Sequence, residues 1–156
     1  MTRFAATTSV PIDRSQSEIQ RTLTKYGATE FMFGQGVDFY FVAFQFKQRA
    51  IKIRIDAPPR TIKRDSWSKE MVANPKFDQL LKQKFRCLLL IIKAKLEAVE
   101  SGIVTVEQEF MPYLVMADGR AAWEHSLPMI QAAYAEGRLP KSIFGDSTQK
   151  LLATSK

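Results

Sequence analysis

Basic side chains are concentrated in one stretch of this chain, where their spacing suits contact with phosphate groups. Between residues 47 and 64 there are seven Lys or Arg residues and a single acid, Asp56. Lys52 and Arg54 alternate with isoleucines, so on a strand they share one face about 7 Å apart, near the phosphate spacing of a nucleic-acid strand. The pattern predicts a nucleic-acid-binding face. The alternative is an edge strand that charge protects from aggregation.

The predicted site comprises the cations of this stretch and one aromatic side chain that could stack on bases: Lys47, Arg49, Lys52, Arg54, Arg60, Lys63, Arg64 and Trp67. Tyr40, on the neighbouring strand, is a second aromatic candidate. The net charge of +7 is unevenly distributed. Residues 1–96 hold 18 basic and 8 acidic residues, a net +10, whereas residues 97–146 hold 3 and 8, a net −5. A basic body beside an acidic region predicts one side that faces a polyanion.

A catalytic apparatus is hard to assemble from the remaining residues. His125 is the single histidine, and Glu124 beside it would face another side of a helix. The stretch 34–36 is Gly-Gln-Gly, but it lacks the following helix and the Lys-Ser/Thr pair of a phosphate loop. The carboxylates make a poor ligand set for a metal. We therefore predict a protein that is not an enzyme, with no catalytic, cofactor-binding or metal-binding residues and no cofactor.

The first half of the chain predicts a helix followed by a sheet. Ser15 with Glu18 fits a capping box, and Gly27 ends the helix that they open. Strands are predicted over 28–33, 37–46 and 50–56, with turns at 34–36 and 47–49 and residues 10–12 as a possible fourth strand. Strand 37–46 is apolar on both sides, which is typical of a strand that is covered on both faces.

A long helix is the central element of the second half. Asn74 is the predicted N-cap, Gly102 the stop, and apolar residues recur between them at steps of three and four. Cys87, the single cysteine, lies within this helix and excludes an internal disulfide. Thr105 with Gln108 forms a capping box for a shorter helix. A further helix over 120–136, interrupted near Pro128, is predicted to turn its apolar side chains toward the core.

These elements predict an α+β fold: a three- to four-stranded antiparallel sheet with an N-terminal helix, one long central helix packed on it and a helical C-terminal portion. We expect a single domain over 1–156, with a sheet-containing part at about 10–57, a basic connector without regular structure at 58–74, a helical part at 75–144 and a loose tail at 145–156. Residues 139–144 form an apolar segment that could dock on the body. The longest apolar run has six residues, too few to span a bilayer, and residues 1–10 lack the apolar region of a signal peptide. A cytoplasmic location is therefore expected.

Residues 86–103, 107–110 and 118–120 resemble a family of small, mostly uncharacterised proteins encoded in bacteriophage and prophage genomes. Residues 10–13, 25–28 and 133–140 fit the same pattern, so the resemblance covers roughly residues 10–144. This chain has Phe-Arg-Cys at 85–87, where the commoner form of the family has Trp-Arg-Ala. The resemblance implies expression in the host bacterial cytoplasm, among genes for nucleic-acid metabolism, takeover or counter-defence. The resemblance implies no established activity, so it assigns no function to any residue of this chain.

Two functions follow as hypotheses. The first is a phage-associated accessory protein that binds DNA or RNA through the basic sheet face and the connector. The second is a protein–protein interaction factor that binds and modulates a host or phage complex, with Trp67 and residues 139–144 as anchors. The sequence leaves the choice between DNA and RNA, the protein partner and the oligomeric state open.

Overall fold

The computed structural model describes residues 4–67 and 69–137 of the chain. Its elements, in chain order, are α1 (Ile12–Lys25), β1 (Thr29–Gln35), β2 (Phe39–Phe46), β3 (Arg49–Asp56), β4 (Thr61–Lys63), β5 (Met71–Ala73), α2 (Phe77–Glu100), α3 (Val106–Phe110), a 3-10 turn (Met111–Tyr113) and α4 (Ala122–Ala135). The predicted α+β fold is confirmed, with its N-terminal helix, antiparallel sheet, long central helix and C-terminal helices. The segments 139–144 and 145–156 lie outside the described residues.

The main sheet is an antiparallel meander in the order β1-β2-β3. The turn between β2 and β3 has only two residues, Lys47 and Gln48, both with positive φ (45° and 63°). This is the conformation of the type I′ hairpin turn, which matches the twist of the flanking strands. Because the turn is that short, Phe46 pairs with Arg49, and the register continues to Phe39 opposite Asp56.

One face of this sheet carries the hydrophobic core. The apolar side of α1 and the long apolar side of α2 pack against it, as the periodicity predicted. The fully buried side chains include Ile19 and Leu23 from α1, Ile92 and Leu96 from α2, and Val42 from β2. Phe110 of α3 closes one end of the core and meets Phe44 and Phe46 edge-on, at ring-centroid distances of 6.1 and 6.3 Å. The other face of the sheet is only partly covered, which corrects the expectation of two covered faces.

The ends of the helices follow the predicted signals closely but not everywhere. Gly27 and Gly102 adopt positive φ just after α1 and α2, where a residue without Cβ is favoured. Thr105 and Gln108 form the predicted capping box at the start of α3. The start of α1 was predicted wrongly: the helix begins at Ile12, which removes residues 10–12 as a fourth strand, and Ser15 is buried within it.

The basic connector 58–74 is not without regular structure, contrary to the prediction. Its strands β4 and β5 pair antiparallel, with Ile62 opposite Val72, and form a separate two-stranded sheet. Asn74 holds the base of this hairpin because its amide donates to the carbonyl of Pro59 at 2.8 Å. Its side-chain oxygen accepts from the N–H of Lys76 at 3.0 Å, so the predicted capping residue acts just before α2 begins.

The chain divides into two compact units, one from Met1 to Ala122 and a second from Trp123 onward. In the first unit, Leu114 bridges to Ile51 and so covers part of the outer edge of β3. In the second unit, α4 continues through Pro128 without the predicted interruption and has no buried residue. The packing of its apolar side chains against the core stays a prediction.

Candidate nucleic-acid interface

The register of β2 and β3 places two phenylalanines and two cations on the side of the sheet that faces away from the helices. Phe41 lies opposite Arg54, and Ala43 lies opposite Lys52. Val42 and Phe44, which alternate with Phe41 and Ala43 along β2, point to the core. We call the partly covered side the outward face and define it by the residues that form it: Met32, Gly34, Gly36, Phe39, Phe41, Ala43, Lys52, Arg54 and Asp56.

Two glycines allow the phenylalanine rings to lie across the neighbouring strand. A Cβ at Gly34 would stand 2.1 Å from Cζ of Phe41, and one at Gly36 would stand 2.3 Å from Cε1 of Phe39. Any other residue at these positions would therefore collide with the rings. The rings are side by side, with centroids 6.4 Å apart and planes inclined by 33°, and both remain partly exposed.

Each ring has a cation next to it. The Nζ of Lys52 is 5.1 Å from the centroid of Phe41, and Cζ of Arg54 is 4.2 Å from the centroid of Phe39. Both distances are within the range of cation–π attraction. Arg54 also pairs with Asp56, Nε to Oδ1 at 3.0 Å, which reduces the positive potential at that end of the face.

Tyr40 does not belong to this face, contrary to the prediction. It pairs with Ile55 on the core side of the sheet and meets Phe85 edge-on at a centroid distance of 5.6 Å. The aromatic residues beside Lys52 and Arg54 are instead Phe39 and Phe41, which the sequence reasoning missed. Finding them requires the length of the turn, which fixes which residues of the two strands face the same way. The sequence does not mark this length, because Lys47-Gln48 is not one of the pairs typical of a two-residue turn.

Lys47 and Arg49 stand at the other end of β3 from Arg54. Arg49 and Arg54 are separated by about 17 Å along the strand. Arg49 pairs with Glu107, NH2 to Oε1 at 2.9 Å. The pKa of Glu107 is lowered, first by the backbone N–H of Glu107 itself and then by the charge of Arg49. Arg49 thus forms an ion pair from β3 to α3 between two half-exposed side chains, and a polyanion at this position would compete with Glu107.

The remaining predicted residues lie on the β4–β5 hairpin. Arg60 stacks near Phe77, with Cζ 5.1 Å from the ring centroid, and Arg64 pairs with Glu70 at 3.0 Å. Lys63 is exposed on β4, and Trp67 is 95% exposed between the strands of the hairpin. The predicted set is therefore divided among three places. Only Lys52 and Arg54 share the outward face with the phenylalanine pair.

A second surface with mixed chemistry lies on the far side of the helices. Between α1 and α2 runs a groove of about 460 Å³ lined by both apolar and charged side chains: Phe4, Glu18, Arg21, Thr22, Lys25, Tyr26, Arg86, Leu89, Leu90 and Lys93. Glu18 joins the two helices by accepting from Arg86 at 2.6 Å, and this hydrogen bond holds the pKa of Glu18 below its usual value. Tyr26 likewise donates to Glu97, which raises the pKa of Tyr26.

Within residues 4–67 and 69–137, no group of three or more His, Cys, Asp or Glu side chains could hold a metal ion. In the same ranges, no helix combines the length and apolarity needed to cross a membrane. His125 lies on α4, in the second unit.

No protein-family model, no curated protein and no solved structure matches this chain. The resemblance to phage-encoded proteins therefore stays a prediction, and the interpretation of the site depends on its geometry.

Proposed function

We propose that this protein binds nucleic acid through the outward face of its main sheet. The observation that carries the proposal is the pairing of Phe39 and Phe41 with Arg54 and Lys52 on one partly exposed surface. Aromatic rings stack on bases of any sequence, and cations beside them attract phosphates. Both DNA and RNA offer these groups.

The cations of the predicted site support nucleic-acid binding, but their ion pairs limit the affinity. Three of the seven predicted cations are in ion pairs, Arg49 with Glu107, Arg54 with Asp56 and Arg64 with Glu70. A polyanion would have to compete with these carboxylates, so we expect moderate affinity that falls as salt is added, because each neutralised phosphate releases counterions.

The experiment is a salt titration of binding to fluorescein-labelled DNA and RNA, followed by anisotropy. Lys52→Glu/Arg54→Glu should weaken binding at least about tenfold near 0.1 M salt. It should also reduce the salt slope by about 0.7 (single strands) to 0.9 (duplex DNA) for each phosphate that the protein no longer neutralises. The matched control is Arg21→Glu/Lys93→Glu, an equal charge change at two exposed residues that line the α1–α2 groove. Equal losses of affinity in both variants would mean that the protein responds to net charge, and the site assignment would be wrong.

A second candidate function is binding of a partner protein at the α1–α2 groove. The groove combines the apolar side chains of Phe4 and Leu90 with the cations Arg21, Lys25 and Lys93, a pattern complementary to an acidic amphipathic segment. In the phage setting that we predict, that partner would belong to a host or phage complex.

Capture from a lysate tests this second function if both variants are used. A partner that survives nuclease treatment, is lost with Arg21→Glu/Lys93→Glu and is kept with Lys52→Glu/Arg54→Glu would support it. Retention of the partner by the groove variant would exclude the groove as its site.

A further inference from the structure

We infer that the outward face binds single-stranded nucleic acid, with two successive bases stacked over Phe39 and Phe41. This inference rests on the proposed function and specifies its ligand. The base faces of a duplex are covered by their neighbours in the stack, so aromatic rings reach them only in strands whose bases are unstacked or flipped out. The ring pair is useful to a binding protein only if the ligand presents free base faces.

The form of the surface favours the same ligand. The rings reach across to Gly34 and Gly36, so they lie along the sheet rather than projecting from it. A major groove is read by an element that enters it, such as a helix or a two-stranded ribbon. A sheet face with rings laid along it offers a platform instead, which is the form that suits an extended strand.

Lys52 and Arg54 add positive charge to the platform, one cation for each ring. Each ring has one cation over it, within 5.1 Å of its centroid. A base that stacks on a ring would therefore displace this cation to the side, where it can meet the adjoining phosphate. The guanidinium of Arg54 is itself planar, and bases stack on such planes as well as on rings. Met32, 56% exposed and paired with Ala43, extends the apolar surface onto β1.

The simplest competing explanation is that the cations only shield two surface phenylalanines from water. In that case the rings would contribute nothing to binding, and affinity would depend on the charge of the ligand alone. The two explanations differ in what they predict for a strand without bases.

The test compares four probes of about 12 nucleotides, a length within the usual range of such sites: oligo(dT), oligo(U), a duplex and an abasic deoxyribose-phosphate strand. We expect both single strands with bases to bind at least about tenfold more tightly than the duplex or the abasic strand. A preference between oligo(U) and an additional probe, oligo(dU), which differ only in the 2′-hydroxyl, would identify RNA or DNA as the preferred ligand.

The variant for this test is Phe39→Leu/Phe41→Leu, which keeps apolar cover over the glycines but removes the π faces. It should weaken binding of single strands about tenfold or more while leaving the abasic strand and the salt slope unchanged. The matched control is Phe4→Leu, at a phenylalanine 55% exposed in the α1–α2 groove. Unfolding by urea, measured for each variant, would show whether a loss of affinity reflects the fold, and base-proton shifts in NMR spectra of the wild type would then report stacking directly.

The possible results distinguish the inference, stacking of single-stranded bases, from the proposed function, binding of nucleic acid. Equal binding of duplex and single strands, with no effect of the leucine variant, would overturn the inference and leave nucleic-acid binding in place. Binding of none of the four probes would overturn both. A protein partner that survives nuclease and is lost with the leucine variant would also overturn the inference, because the face would then bind a protein.

Discussion

Replacement of Gly34 by alanine tests the outward face through a single methyl group. A Cβ at this position would stand 2.1 Å from Cζ and 2.2 Å from Cε1 of Phe41. Ordinary carbon contacts begin at about 3.5 Å, so the ring must move by about 1.4 Å or rotate to another rotamer. The backbone of Gly34 does not have the positive φ seen at Gly27 and Gly102, so the collision with the ring is the main effect.

The effect of Gly34→Ala on stability should be small because two contributions oppose each other. A displaced ring exposes part of its apolar surface, at a cost of about 1 kcal/mol for half of a phenylalanine side chain. Alanine within a strand gains roughly 0.5–1 kcal/mol over glycine. The free energy of unfolding should therefore change by less than about 1 kcal/mol, whereas removal of one stacking position should weaken single-strand binding about tenfold.

The assay is a double-mutant cycle with Phe41→Ala, in which each protein is measured by urea unfolding and by anisotropy with oligo(dT) and oligo(U). If Gly34→Ala acts by displacing the ring, it should have no further effect on affinity once the ring is absent. An equal loss of affinity in the presence and absence of the Phe41 ring would refute this reasoning. An unchanged affinity of Gly34→Ala, with the ring displaced in its NMR spectrum, would refute the role of Phe41 in binding.

Three further predictions concern the fold. Lys47→Asn/Gln48→Gly should raise the free energy of unfolding by about 1 kcal/mol in urea titrations, because Asn-Gly adopts positive φ with less strain; a decrease in stability would contradict the turn conformation. Thr105→Ala should lower that free energy by about 1 kcal/mol because it removes the N-cap of α3, and Thr105→Ser should restore most of it. The third prediction concerns Glu18, whose pKa the hydrogen bond from Arg86 holds below the usual 4.5. The charged carboxylate therefore contributes fully to the free energy of unfolding above pH 4.5, and this contribution is lost as the pH falls through the lowered pKa. Glu18→Gln, which breaks the charge pair with Arg86, should make stability fall less steeply as the pH drops below the usual glutamate pKa of 4.5. An unchanged pH profile would exclude this pair as a source of acid sensitivity.

Local signals predicted much of the architecture. Gly27 and Gly102 end their helices, and Thr105 caps α3, because each of these events depends on the residue itself and its immediate neighbours. The apolar periodicity of α2 predicted its buried side, from Leu81 to Val99, because side chains at steps of three and four lie on the same side of a helix.

The β4–β5 hairpin could not be predicted in the same way. Its strands have three residues each, too few for an alternating pattern to be recognised. Their composition, with Lys63 exposed on β4 and Trp67 exposed beyond it, is typical of a loop. The pairing depends on contacts between residues distant in sequence, among them the hydrogen bond from Asn74 to Pro59.

The residues of the candidate site were determined by the sequence, but the face that they share was decided by the tertiary structure. Alternation alone grouped Phe39 with Phe41 and Lys52 with Arg54, without relating one group to the other. A three-residue turn at 47–49 would pair Tyr40 with Asp56 and place it beside the cations, as we predicted. The observed two-residue turn pairs Tyr40 with Ile55 instead, and a shift of one residue reverses the face of every side chain in a strand. That register, held by burial of Val42 and Phe44 against the helices, brings the phenylalanines and the cations together.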